Sequence, residues 1–426
     1  MRLFCYTTSM KVKKTVLKNG LRIITVPMPE SPTVTVMVTV AAGTRYETEK
    51  NNGISHFLEH MCFKGTQKRD YKQIAYELEA MGATTNAFTD YDMTAYHTKG
   101  RAELFPKLLD IVSDVYLNST FPESEIEKER GVVCGEIDMY NDSPQYKVAN
   151  NFLEALYGNQ PAGYSIAGPK ENIKKLTRKD FIDYHSTHYH AEKTVIVIAG
   201  KFDEQKSINM VKNAFAAIPS KKIVHKKKVN PKLGKALFVE NKKTDQAHLV
   251  LGMRAIPAGH PDRKIFSVMN AVLGKGMSSR LFVKLREEMG AGYYISSGFS
   301  SVDDTGEFYI TTGTEPKRIN EVISAIKQEV KKLQQEKISK QELEKTQEFL
   351  VGNLYMGLEL SDSVATMIAI QEVLNQPLKT LKDLEKEIRS VTVDDVLRVA
   401  KKYLRPEKFH LAVIGPHTES ELKKVM

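Results

Sequence analysis

The chain has 426 residues, 41% of them hydrophobic and 8% aromatic with no tryptophan, which describes a globular protein longer than one hydrophobic core usually organises. A net charge of +10 invites a nucleic-acid partner, but residues 219–235 alone hold seven lysines and no acid, so the surplus is one short segment and not a basic face. Three scattered cysteines, Cys5, Cys62 and Cys134, are too few for a disulfide framework and favour a reducing compartment; no targeting pattern is evident and no apolar run approaches the roughly 18 residues that span a bilayer, so a cytoplasmic setting is expected.

The first ten residues lack the pattern of a secretory leader, and Met10 is an alternative start. In chain order, residues 14–26 predict a strand with a turn at Asn19 and Gly20, and residues 33–41 a second strand of alternating Val and Thr. Next comes His56-Phe-Leu-Glu59-His60. On a helix, positions i, i+3 and i+4 share a face, so these three polar side chains project together. Two imidazoles one turn apart make half of a tetrahedral zinc site, and a carboxylate beside them can take a proton from water. The plainer reading is an ordinary helix that happens to carry two histidines.

Residues 71–81 predict a helix, 84–98 a hairpin turning near Asp90-Tyr91-Asp92, and 104–117 and 123–140 two more helices. A helix over 180–189 leads into a buried strand over 194–199. The layout is α+β, a mainly antiparallel sheet with helices packed on it. Glu129 and Glu136 lie seven residues apart on one helical face and are candidates to complete the site, although surface helices are rich in glutamate. Cys62 and Cys134 are expected as buried structural thiols, and His185, His188 and His190 as structural or surface residues.

The lysine-rich segment 219–235 is expected to be a solvated connector. Beyond it the pattern repeats. Leu176-Thr-Arg-Lys-Asp180 aligns with Val391-Thr-Val-Asp-Asp395, and Glu125-Ile-Glu-Lys128 with Glu342-Leu-Glu-Lys345. This predicts two homologous domains, residues 1–218 and 236–426. Thr346 and Asn353 stand where the first half has Glu129 and Glu136, so the second copy cannot complete a metal site in the same way.

The pentad, followed by Glu129-Arg-Gly-Val-Val-Cys-Gly-Glu136, resembles the inverted-zincin signature of the pitrilysin-type metallopeptidases, in the branch of mitochondrial processing peptidase β subunits and their bacterial relatives. The resemblance spans essentially the whole chain. It implies one Zn2+ per chain held by His56, His60 and Glu136, Glu59 as general base, and Glu129 as an outer carboxylate orienting a histidine ring, whose loss would hurt activity more than zinc content. Asn86, Ala87 and Phe88 are similar to the family's edge strand, on which an extended peptide substrate aligns by strand addition. Arg286 and Tyr293 look like its second-domain pair, the arginine holding a substrate carbonyl and the phenol donating to an oxyanion, with Tyr294 leaving the phenol's assignment open. Gly135 and Lys275 are small departures from the family pattern. The resemblance further implies an endopeptidase for unfolded or extended peptides of the leader or processing type, a closed chamber, and a homodimer with Arg286 and Tyr293 acting in trans. Nucleic-acid and membrane partners are not implied. Competing readings are a non-catalytic scaffold subunit and a subunit that needs a different chain to be active.

Overall fold

The computed structural model describes residues 11–232 and 234–426; the Cys5 and Met10 expectations lie outside them. The first half supplies strands β1 (Lys13–Val16), β2 (Arg22–Pro27), β3 (Thr33–Val40), β4 (Thr84–Thr89), β5 (Thr94–Arg101) and β6 (Thr194–Gly200). Its longer helices are α1 (Ile54–Cys62), α2 (Tyr71–Ala80), α3 (Phe105–Leu117), α4 (Glu123–Asp142), α5 (Pro144–Tyr157), α6 (Arg178–His188) and α7 (Glu204–Ala214). The second half supplies β7 (Leu237–Asn241), β8 (Ala247–Ala255), β9 (Tyr294–Ser301), β10 (Gly306–Thr314) and β11 (His410–Gly415). With them come α8 (Arg263–Gly274), α9 (Ile319–Gln335), α10 (Lys340–Gly357), α11 (Ser361–Val373), α12 (Leu381–Arg389) and α13 (Val393–Tyr403).

The strands form two sheets, ordered β1-β2-β6-β3-β5-β4 and β7-β11-β8-β10-β9. Within each, the last strand of the half runs parallel to one neighbour, β2 beside β6 and β7 beside β11, and the remaining pairs are antiparallel. Apart from the added β1, one sheet repeats the other strand for strand, so the fold is the expected α+β duplication. The two halves even start corresponding helices alike: α6 and α13 each open with a threonine capping box, Thr177 with Asp180 and Thr392 with Asp395.

The compact units do not follow the expected cut at the basic segment. Among the described residues, one comprises those up to Gly135, 165–227 and 355–384; the other comprises those in 136–164, 228–354 and 385–426. The reason is an exchange of helices. Val364, Ala365, Ile368 and Ala369 of α11 pack on Val195, Val197 and Ala199 of β6 in the first sheet. Thr35 and Lys99 bond Ser361 (2.8 Å) and Asp362 (2.7 Å) at the start of that helix, and Arg22 bonds Glu372 (3.2 Å) near its end. Reciprocally, Val148, Phe152 and Leu156 of α5 pack on Val250, Ala412 and Ile414 of the second sheet. The first sheet needs this cover because β6, Thr-Val-Ile-Val-Ile-Ala-Gly, is apolar on both faces and buried throughout.

The basic segment carries no helix or strand among its described residues and is largely exposed, as expected, but it is not simply solvated. The Lys226 ammonium pairs with Asp92, and Asn230 is held by Gln160 and Arg254.

Candidate metal centre

Helix α1 begins at Gly53, whose φ of +99° suits glycine, and a Cβ there would lie 2.6 Å from the Ala167 carbonyl oxygen. Gly53 has no capping side chain, and the buried Glu47 takes that role from outside the helix. Its carboxylate accepts from the Gly53 and Ser55 amides (2.9 Å each) and from the Asn52 carboxamide (2.8 Å). Burial raises the Glu47 pKa above the ordinary carboxylate value, against the pull of these bonds. The apolar side of α1, with Phe57, Leu58 and Met61, is buried, and Phe57 meets Phe181 of α6 edge to face at 4.9 Å. Ser55 shares a 2.8 Å hydrogen bond with Tyr184 of α6. That packing leaves His56, Glu59 and His60 on the opposite side, half-buried.

Helix α4 brings the remaining candidates. The division between compact units falls between Gly135 and Glu136, inside α4, but the helix is unbroken. The place of Glu136 is therefore set by its own helix. Buried Glu129, two turns earlier, accepts the Nδ1 proton of His60 at 2.9 Å and pairs with the Lys64 ammonium. Burial acts to raise the Glu129 pKa, yet the bonds from His60 and Lys64 outweigh it and hold the carboxyl below its usual value. With Nδ1 protonated, Nε2 of His60 carries the lone pair.

One ligand atom each from His56, His60 and Glu136 can be chosen so that all lie within 4.8 Å of one another. The two Nε2 atoms are 3.3 Å apart. Four ligands placed tetrahedrally at zinc–nitrogen distances of about 2.0–2.1 Å would be separated by about 3.3 Å, so the imidazoles already sit along one edge of such a polyhedron. The donor set, two neutral imidazoles and one carboxylate, also fits a catalytic zinc with one position left for water or substrate. Tyr140, one turn beyond Glu136, donates to its Oε1 at 2.8 Å and so fixes the rotation of that carboxylate. Glu59 Oε2 accepts from the Thr89 hydroxyl at 2.6 Å.

Two helices, α1 and α4, thus carry His56, Glu59, His60, Glu129 and Glu136 to one place. The sequence profile described as Insulinase (Peptidase family M16) matches residues 22–170, and that of the Peptidase M16 inactive domain matches residues 175–350. The chain belongs to the M16 peptidase family. Among M16 relatives, a zinc protease of Bacillus subtilis, YmxG, is 34% identical over 95% of this chain and 98% of its own length. The mouse mitochondrial-processing peptidase subunit beta is 32% identical over 94% of this chain and 84% of its own. A protease from Helicobacter pylori has the same fold, with a TM-score of 0.89 and 24% identity over 96% of this chain and all of that one. These matches support a zinc metallopeptidase, and the inactive-domain profile falls largely on the half whose α10 carries Thr346 and Asn353.

The other expected site residues separate into two groups. Asn86, Ala87 and Phe88 lie on β4, the edge of the first sheet, with Asn86 exposed and its carboxamide oxygen accepting from the Ala87 amide at 2.9 Å. Arg286 and Tyr293 lie in the second unit and meet each other, the guanidinium donating to the Tyr293 carbonyl. The Tyr293 side chain is exposed, whereas the Tyr294 phenol is committed to His248 at 3.0 Å and burial pushes its pKa up to about 12. Of the two phenols, Tyr293 is the accessible one.

Cys62 is fully buried, and burial raises its thiol pKa to about 12, so it is inert; Cys134, expected to be buried, is only half-buried. Glu47, Lys64 and Tyr140 received no role from the sequence, and Thr89 none beyond its place in the predicted edge hairpin. The tyrosine four residues after Glu136 was the readable signal, since i and i+4 side chains touch on a helix.

Proposed function

We propose that the protein is a zinc-dependent endopeptidase acting on unfolded or extended peptides. The observation that carries this reading is the convergence of the His56, His60 and Glu136 donor atoms beside Glu59. Zinc held by those three residues, one ion per chain, would supply Lewis acidity that polarises a carbonyl and acidifies water. Glu59 takes a proton from the attacking water and returns it to the nitrogen of the departing amine. Glu129 holds His60 in the tautomer that presents Nε2.

The peptide adds to the edge of β4, its main chain bonding along Asn86, Ala87 and Phe88 while its side chains fall alternately to either face. Strand addition selects extended backbone, which accounts for leader and processing-type substrates and for protection of folded proteins in a closed chamber. Arg286 and Tyr293 complete the site in trans within a homodimer, the guanidinium on a substrate carbonyl and the phenol on the developing oxyanion. The setting is cytoplasmic, in keeping with three scattered cysteines. No helix among the described residues is long and apolar enough to cross a membrane.

The test is metal analysis together with digestion of an unstructured peptide library by the purified chain and its Glu59→Gln variant. One zinc per chain and cuts that vanish in the variant are expected; a chain that binds zinc and cuts nothing would be a scaffold or would need a different partner. Coexpressing Glu59→Gln with Arg286→Ala chains tests the dimer, because mixed dimers regain one intact site only if Arg286 acts across the interface.

A further inference from the structure

The hydrogen bond from Thr89 to Glu59 joins two parts of the site that the sequence treats as separate. Thr89 is the last residue of β4, paired with Thr94 of β5. A threonine hydroxyl has one proton to give. The Thr94 hydroxyl gives its own to the Ala42 carbonyl (3.0 Å), and the Thr89 hydroxyl, 3.5 Å from that of Thr94, gives its proton to Glu59 Oε2 at 2.6 Å. A bond this short to a carboxylate is charge-assisted, about twice as strong as one between neutral groups.

What holds Thr89 in place is the turn that follows it. The Asp90 amide closes the turn on the Met93 carbonyl (2.8 Å), and the carbonyls of Asp90 and Tyr91 accept from the Thr44 and Arg45 amides at 3.3 and 2.9 Å. Approach is so close at Gly43 that a Cβ there would stand 2.1 Å from the Asp90 oxygen. The Thr89 hydroxyl is thus presented to Glu59 by a backbone anchored on its far side.

We propose that Thr89 is a positioning residue that ties the general base to the end of the peptide-aligning strand, so that a peptide seated on β4 meets a base already aimed. This rests on the reading of Glu59 and β4 given above. Thr89→Val keeps the shape and removes the donor; Thr89→Ser keeps the donor. On zinc-loaded protein with a quenched fluorescent unstructured peptide, Thr89→Val should lower kcat about tenfold or more with little change in KM, and Thr89→Ser should recover most of it. In a Glu59→Gln background, the added Thr89→Val change should leave the Kd of the same peptide, read by fluorescence anisotropy, unaltered. If the wild-type chain cuts the peptide and Glu59→Gln does not, yet Thr89→Val keeps its kcat, the inference alone is overturned. It is also overturned if Thr89→Ser fails with Thr89→Val, or if the peptide Kd weakens in the Glu59→Gln background. Cleavage by Glu59→Gln at the wild-type rate would instead overturn the assignment of the base, and this inference with it.

Discussion

Mild acid should loosen the support behind helix α1 through two histidines that the site does not use. His188 is buried against the Tyr184 ring at 4.4 Å, with its Nδ1 3.0 Å from the side-chain nitrogen of Lys193, whose own pKa burial lowers to about 7. His185 is packed between Phe121 and Tyr189 and bonds the Tyr116 carbonyl at 2.9 Å. Burial, helped for His188 by the neighbouring Lys193, lowers their pKa values to about 3 for His188 and about 4 for His185, from an ordinary 6.5. A base whose folded pKa is depressed contributes stability that is complete above its unfolded pKa and is lost as pH falls from there towards the folded value. Between pH 7.5 and 5 the unfolded imidazoles charge and the folded ones do not, which costs about 2 kcal/mol for each histidine. About 4 kcal/mol in all is a large part of the roughly 5–15 kcal/mol that keeps a domain folded. The assay is urea unfolding followed by circular dichroism at several pH values across that interval, with a chelator present so that metal release does not contribute. His188→Gln should be less stable at neutral pH but lose about 2 kcal/mol less than wild type on acidification. Equal losses in the two proteins would refute the argument that burial keeps His188 neutral.

Three further outcomes follow from the site. Tyr140→Phe removes a hydrogen bond that orients the Glu136 carboxylate and should weaken zinc binding about tenfold, measured by competition with a chromophoric chelator. Glu129→Gln should keep most of its zinc by elemental analysis while losing about 10–100-fold in peptide cleavage, because the Lys64 pairing and the charge that orients His60 are gone. Gly53→Ala places a methyl group against the Ala167 carbonyl in a left-handed backbone conformation; thermal unfolding should reveal a loss of at least about 1–3 kcal/mol.

Much of this was legible because the chemistry of the centre is local. His56, Glu59 and His60 lie within one turn and a half, so the helical period alone places them together, and Glu129 and Glu136 follow by the same rule on α4. Thr89 was not legible as a partner of Glu59, because nothing in the period of β4 says what stands above its last residue. Glu47 was missed because it caps α1 from outside the helix, where no spacing rule reaches. The repeat told correctly that the chain is duplicated. The exchange of α5 and α11 escaped it because amphipathic patterns such as Val148, Phe152 and Leu156 show that a helix has an apolar face but not which sheet will receive it.

That exchange has a consequence for synthesis. When the first 218 residues have left the ribosome, one face of β6 still lacks Val364, Ala365 and Ile368, which are about 150 residues away and not yet made. Until they arrive, an apolar stripe stays wet and sticky, and a nascent chain in that state is a natural client for a chaperone. A fragment cut at the lysine-rich segment would inherit the same bare stripe permanently, so the two copies, though born of one gene unit, have become obligate companions.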